Sequence, residues 1–298
     1  MQSLPFFLLT LFVVSSCHEK SSSSTTSQAD SMLFAQPEQL GDLNDGLLSE
    51  SSGVAPSKQN PGYLWTEEDS GNPAEIQLIN QKGEVAGRYT LAGVDNRDWE
   101  DIAVGPGPLP GKSYVYVAEI GDNKLRYPVK IIYRFPEPTL PRNKLPVVDT
   151  IRNFDHIRLQ LPDGPKNAEA IMVDPGTLDL YVLSKEDNCV LYRASYPQSL
   201  TKTTMMQRLS SIPIGYVTSA AISPDGQEIL VRSYHQLDYF RRGVDESIVD
   251  ALKKPRLLPL AEEPQGEAIG WATDGSGYYT TSERTFFFAQ PLYFYRRR

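Results

Sequence analysis

The chain has 298 residues, with 37 acidic against 29 basic side chains, a net charge of −8 and 40% hydrophobic content, enough to bury a core in one large domain or two small ones. The acidic balance argues against a nonspecific nucleic-acid binder, which needs a basic footprint to displace counterions from phosphate. Two cysteines (Cys17, Cys189) and three histidines (His18, His156, His235) exclude a Cys/His zinc module and a disulfide-stapled scaffold, so any catalysis leans on carboxylates.

In chain order, Leu4 to Val14 is an apolar run too short to span a bilayer and the right length for a signal-peptide core. The Val14-Ser15-Ser16-Cys17 stretch that ends it resembles the lipobox of bacterial lipoproteins. Residues 1–17 are therefore expected to be a lipoprotein signal peptide ending at Cys17, the lipidation site, with acyl chains as the membrane anchor. That implies an exported protein of the bacterial cell envelope; the choice of inner or outer membrane depends on the bacterium. Residues 18–31, including KSSSSTTSQADS, form a flexible Ser/Thr-rich tether with almost nothing to bury. With Cys17 acylated, Cys189 has no disulfide partner and reads as a small buried hydrophobe on a strand.

Residues 32–298 read as one all-β domain organised by a repeat. Ser52-Gly53-Val54-Ala55, Glu100-Asp101-Ile102-Ala103, Glu169-Ala170-Ile171-Met172, Ser219-Ala220-Ala221-Ile222 and Glu267-Ala268-Ile269-Gly270 share a polar opening followed by small and apolar residues. Aligning Val54, Ile102, Ile171, Ala221 and Ile269 gives steps of 48, 69, 50 and 48 residues, a period that signals a propeller or solenoid. Each copy continues into a second strand, as in Tyr63–Thr66 or Leu180–Leu183, a third, and a ragged fourth, the make-up of a four-stranded antiparallel propeller blade. The count is five blades, the last completed by an N-terminal strand from Met32 to Leu40 that closes the ring. Six blades is the alternative, because the long step carries about 20 extra residues between Glu137 and Ile157. One helix, Asp245 to Lys254, is expected as an insertion in the fourth blade.

Loops entering the first strand of a blade share a face with loops joining its second and third strands, so polar residues at both places should line one funnel. The candidates are Asp69, Glu100, Asp122, Asn123, Arg126, Glu169, Lys185, Glu267 and Glu283. Of these, Glu100, Asp122, Asn123, Glu169 and Glu267 offer the oxygen ligands that a hard cation such as Ca²⁺ prefers; no other cofactor is indicated. The competing reading is structural, with repeat-locked acids capping strands and pairing with Arg97, Arg126, Lys185 and Arg232. No G-x-S-x-G elbow, Walker motif or H-E-x-x-H is present. The segment Gly105-Pro106-Gly107-Pro108-Leu109-Pro110-Gly111 lacks the N–H groups of a phosphate cradle and reads as a turn.

Leu64-Trp65 with Asp69-Ser70-Gly71, Asp98-Trp99-Glu100-Asp101-Ile102-Ala103, Ile120-Gly121-Asp122-Asn123 with Arg126, Ile132-Tyr133-Arg134 with Glu137-Pro138, Ala168-Glu169-Ala170 and Gln265-Gly266-Glu267-Ala268-Ile269 together resemble a family of bacterial exported propellers of unsettled function. More remotely, the arrangement is similar to gluconolactonase-like and esterase-like phytase propellers, whose central metal serves lactone or phosphoester hydrolysis. The resemblance implies that Glu100, Asp122, Asn123, Glu169 and Glu267 face the channel. The leading expectation is a lipid-anchored protein binding a small ligand, glycan or protein partner at its funnel. A Ca²⁺-dependent hydrolase of the lactonase or phosphoesterase type is the alternative, and a purely structural scaffold the second alternative.

Overall fold

The computed structural model describes residues 33–43, 48–141, 143–263, 265–285 and 289–298; the expected lipidation site Cys17 and the tether 18–31 lie outside them. Five sheets stand side by side, one per blade. Strand β1 (Glu38–Asp42) opens the chain. Blade one is β2 (Ser51–Pro56), β3 (Tyr63–Glu68), β4 (Glu75–Asn80) and β5 (Val85–Leu91), and blade two begins with β6 (Trp99–Pro106), β7 (Ser113–Glu119) and β8 (Val129–Pro136). The extra residues of the long repeat step then supply β9 (Val147–Ile151), which pairs in parallel with β5 at the rim of blade one. They widen a blade instead of making a sixth. The chain returns to finish blade two with β10 (Asp155–Gln160).

Blade three is β11 (Ala168–Val173), β12 (Leu180–Ser184) and β13 (Cys189–Ala194), followed by β14 (Thr204–Met205), a short parallel partner of β10, and by its own outer strand β15 (Gln207–Ile212). Blade four is β16 (Val217–Ile222), β17 (Glu228–Ser233) and β18 (Leu237–Arg241), then a single helical turn, α1 (Ile248–Ala251), and β19 (Arg256–Leu258). The ten-residue helix expected there shrinks to this turn, capped by the Ser247 hydroxyl on the Asp250 N–H and cut off before Pro255. Blade five is β20 (Gly266–Trp271), β21 (Gly277–Ser282) and β22 (Pro291–Arg296), with β1 as its fourth strand. The ring is thus closed by the N-terminal strand, as the repeat arithmetic requires.

Apolar side chains collect between blades, which is where a strand buried on both faces must place them. Trp65, Trp99 and Phe135 sit between blades one and two, Tyr116, Ile171 and Tyr192 between two and three, and Leu191, Val231 and Phe240 between three and four. Phe34, just before β1, wedges between blades four and five with its ring 4.9 Å from that of Tyr278. Indole N–H groups inside these layers find acceptors: Trp65 donates to Glu137 at 2.8 Å and Trp99 to Glu119 at 3.3 Å. Glu119 also accepts from Tyr133, and Arg97 pairs with it, so several motif residues are mortar between blades. Cys189 is free and buried, and burial pushes its thiol up. Among the described residues no helix is long and apolar enough to cross a membrane.

Candidate functional site

The innermost strand of every blade carries one unpaired residue at the same place: Ser52, Glu100, Glu169, Thr218 and Glu267 interrupt the pairing of β2, β6, β11, β16 and β20 with their second strands. A β-bulge breaks the strict alternation of faces and re-aims a side chain. Here it turns three glutamates into one funnel at the start of the inner strands. In blade four the register places Thr218 at the bulge and Ala220 level with Val54, Ile102, Ile171 and Ile269, one residue earlier than the sequence alignment through Ser219 and Ala221. A run of two alanines offers no sequence mark for that offset.

On one wall Asp69, Asp98 and Glu100 each present a carboxylate oxygen within 4.8 Å of the others. Asp69 is held from two loops: Asn96, from the loop entering β6, donates to its backbone oxygen at 2.9 Å, and the neighbouring Ser70 N–H donates to its carboxylate. Asp98 lies beside the Ser70 hydroxyl. Glu100 is only 6% exposed, and among the described residues no hydrogen bond reaches its carboxylate. The facing backbone is Gly121, where a Cβ would overlap both the Glu100 and Asp98 carboxylates. The glycine of Ile120-Gly121-Asp122-Asn123 therefore leaves room for two acids. Burial, then Glu169, Asp69 and Asp98, push the Glu100 carboxyl well above its usual range; burial raises Asp69 to about 6 and also raises Asp98. Such an arrangement is costly with all three carboxylates ionised unless a cation joins it.

On the other wall the Lys185 ammonium pairs with Glu169, donates to the Tyr234 hydroxyl at 2.6 Å and lies 4.7 Å from that ring's centre. Burial alone would lower Lys185, but Glu169 and Glu267 outweigh it and hold the amine above the ordinary lysine value. Glu169 also accepts from Asn167 at 2.9 Å, and burial raises it to about 7. Glu267 has no hydrogen-bond partner among the described residues, and burial brings it to about 8. Glu283, near the Ser52 hydroxyl and bonded by Gln265, is raised by burial to about 7. Three carboxyls thus exchange protons near neutral pH beside one fixed cation.

The structure brings Asp69, Glu100, Glu169, Lys185, Glu267 and Glu283 together. Asp122 is buried beneath, its carboxylate accepting from the Arg126 and Tyr127 N–H groups at 2.6 and 2.7 Å, with the Lys130 ammonium 3.5 Å away. Burial would raise Asp122, but the two N–H groups and Lys130 hold it below the usual carboxylate value. Asn123 accepts from Asn167 at 3.2 Å on the exposed rim, and the Arg126 side chain is also exposed. Asp98, Tyr234 and Asn167 were not singled out by sequence. Asp98 had a signal, since it lies two residues before Glu100, the spacing at which an extended chain places two side chains on one side.

No family model matches the sequence, and no curated protein matches it. Among solved structures the chain is similar to the PQQ-bound form of an aldose sugar dehydrogenase from Streptomyces coelicolor, with 11% identity over 88% of this chain and 98% of that one and a TM-score of 0.49.

Proposed function

We propose that the funnel binds a divalent cation, Ca²⁺ by its donor chemistry, through Asp69, Asp98 and Glu100, and through it an oxygen-bearing small ligand or glycan. The observation that carries this is Glu100, buried without a hydrogen-bond partner among the described residues and aimed at two further carboxylates across a glycine. Three carboxylates match the hard, all-oxygen preference of Ca²⁺ and leave part of its roughly six to eight positions for other oxygens. The cation, when bound, supplies charge compensation and polarises a carbonyl or phosphoryl oxygen. Lys185 and Tyr234 add hydrogen-bond donors on the facing wall. The same reading keeps Cys17 as a lipid anchor in the cell envelope, so that the funnel serves extracytoplasmic ligands.

A hydrolase of the lactonase or phosphoesterase type is the second reading, favoured by Glu169 near pKa 7 beside Lys185, a value suited to general acid or base work. Thermal unfolding with Ca²⁺ or with chelator tests the cation. The expected result is stabilisation of the native protein by Ca²⁺, absent in Glu100→Gln and reduced in Gly121→Ala, whose methyl intrudes between the acids. Equal stabilisation of Glu100→Gln would overturn the site. A lactone and phosphoester panel comparing the native protein with Glu169→Gln then separates binder from enzyme.

A further inference from the structure

The inner strands run away from the funnel to the opposite mouth of the channel, and there the chemistry reverses. A cavity of about 350 Å³ lies among the far ends of all five inner strands, with Val54, Ile102, Ile171, Ile269 and Trp271 in its lining. That volume is in the range of small-molecule sites, which are mostly apolar with a few placed polar groups. In a chain of net charge −8, this lining holds no Asp or Glu and two lysines, Lys58 and Lys112. Neither lysine has an ion pair among the described residues, and both are exposed. The carboxylate bonded to the Lys58 loop, Glu137, is already taken by the Ser57 hydroxyl, the Gln59 N–H and the Trp65 indole. The Gly/Pro-rich end of β6 and the turn that follows it to Gly111, which the funnel does not use, form one lip and deliver Lys112.

The lining of this mouth shares no residue with the funnel. Asp101 lies on the axis between them, accepting from the Ile102 N–H at 2.9 Å, the Ile171 N–H at 2.8 Å and the Ser219 hydroxyl at 3.2 Å, and so ties three inner strands. A ligand in the far cavity is therefore separate from one in the funnel.

We infer that the far mouth is a second binding site, for a small carboxylate-headed amphiphile taken up from solution as a free molecule. Its apolar body lies on the aliphatic lining and Trp271, and its head meets Lys58 and Lys112. Calorimetry on the full chain with decanoate and decyltrimethylammonium, each below its micelle concentration, and decanol below its solubility limit, tests this. Saturable one-to-one binding of decanoate is expected, with decanol weaker and the cationic analogue not bound. Lys58→Gln combined with Lys112→Gln should weaken decanoate roughly fivefold, the scale of two solvent-exposed charge contacts. Glu100→Gln should leave decanoate binding unchanged. No saturable decanoate binding, equal binding of the neutral or cationic analogue, or an unaltered affinity in the double variant would each overturn the site. Loss of decanoate binding in Glu100→Gln would do the same, by moving the ligand to the funnel.

Discussion

Asp101 stands at a ring position where the other blades carry Gly53, Ala170, Ser219 and Ala268. Four small side chains leave an axial space, and one carboxylate fills it. The axis-facing edge of an innermost strand has no neighbouring strand to accept its N–H groups, so a buried acceptor on the axis answers a need of three blades at once. Asp101→Ala is expected to leave those donors unsatisfied and cost about 3 kcal/mol, read as a lower urea midpoint; a loss under about 1 kcal/mol would sink the plug. Glu67, fully buried nearby with neither oxygen bonded, is pushed well above its usual range by burial and then by Asp101. Glu267 extends the theme to the funnel. Its carboxyl has a value of about 8 in the fold against an ordinary 4.5, so between those limits the native state keeps a proton that the unfolded chain has lost. Stability therefore falls as pH rises through that window. In chelator, the urea midpoint of the native protein should drop from pH 5 to pH 8 more steeply than that of Glu267→Gln, and parallel curves would contradict the assignment.

At the scale of strands and loops, the pattern that sequence carries best is the one set by burial. The recurring small and apolar run of each inner strand and the aromatic second strands specify five blades, and the missing fourth strand of the last blade specifies closure by the N-terminus. Less legible is whatever depends on a local break in the ladder. The bulge residues Glu100, Glu169 and Glu267 are visible because the repeat aligns them, whereas Asp98 sits just before β6, outside the aligned repeat position, and joins them through the loop that enters the strand. Asp122 shows the converse. Its place after a second strand matches Asp69, but two N–H groups of its own loop and Lys130 occupy its carboxylate. Spacing along a chain gives the loop; the acceptor's partners depend on how that loop turns back. Motif glycines follow the same logic, since a Cβ at Gly266 would collide with the guanidinium of Arg232, which is buried against Glu263 and the Ala268 carbonyl.

For the whole molecule, the course of β22 and β1 decides which face the N-terminus leaves. β22 begins at Pro291 after the funnel-side segment that holds Glu283 and runs to Arg296 at the far mouth, where the Arg297 side chain bonds the Gly275 carbonyl. β1 is antiparallel to it, with Asp42 opposite Pro291 and Glu38 opposite Phe294. Phe34 then bridges to Arg297, and Leu33 accepts from the Arg298 N–H, so the chain enters beside the apolar cavity and opposite the acids. Under the proposed Cys17 anchor, the link to Leu33 reaches roughly 50 Å when extended, and the far mouth lies nearer its point of attachment than the funnel does. Cys189 is buried and leaves single-site labelling open. A dye at Lys58→Cys in the anchored protein should transfer energy to a bilayer acceptor more efficiently than one at Asn123→Cys, and deleting residues 20–31 should widen the difference. Equal or reversed transfer would refute the orientation. No transfer from either dye would instead remove the anchor, leaving the entry of the chain at the far mouth untouched.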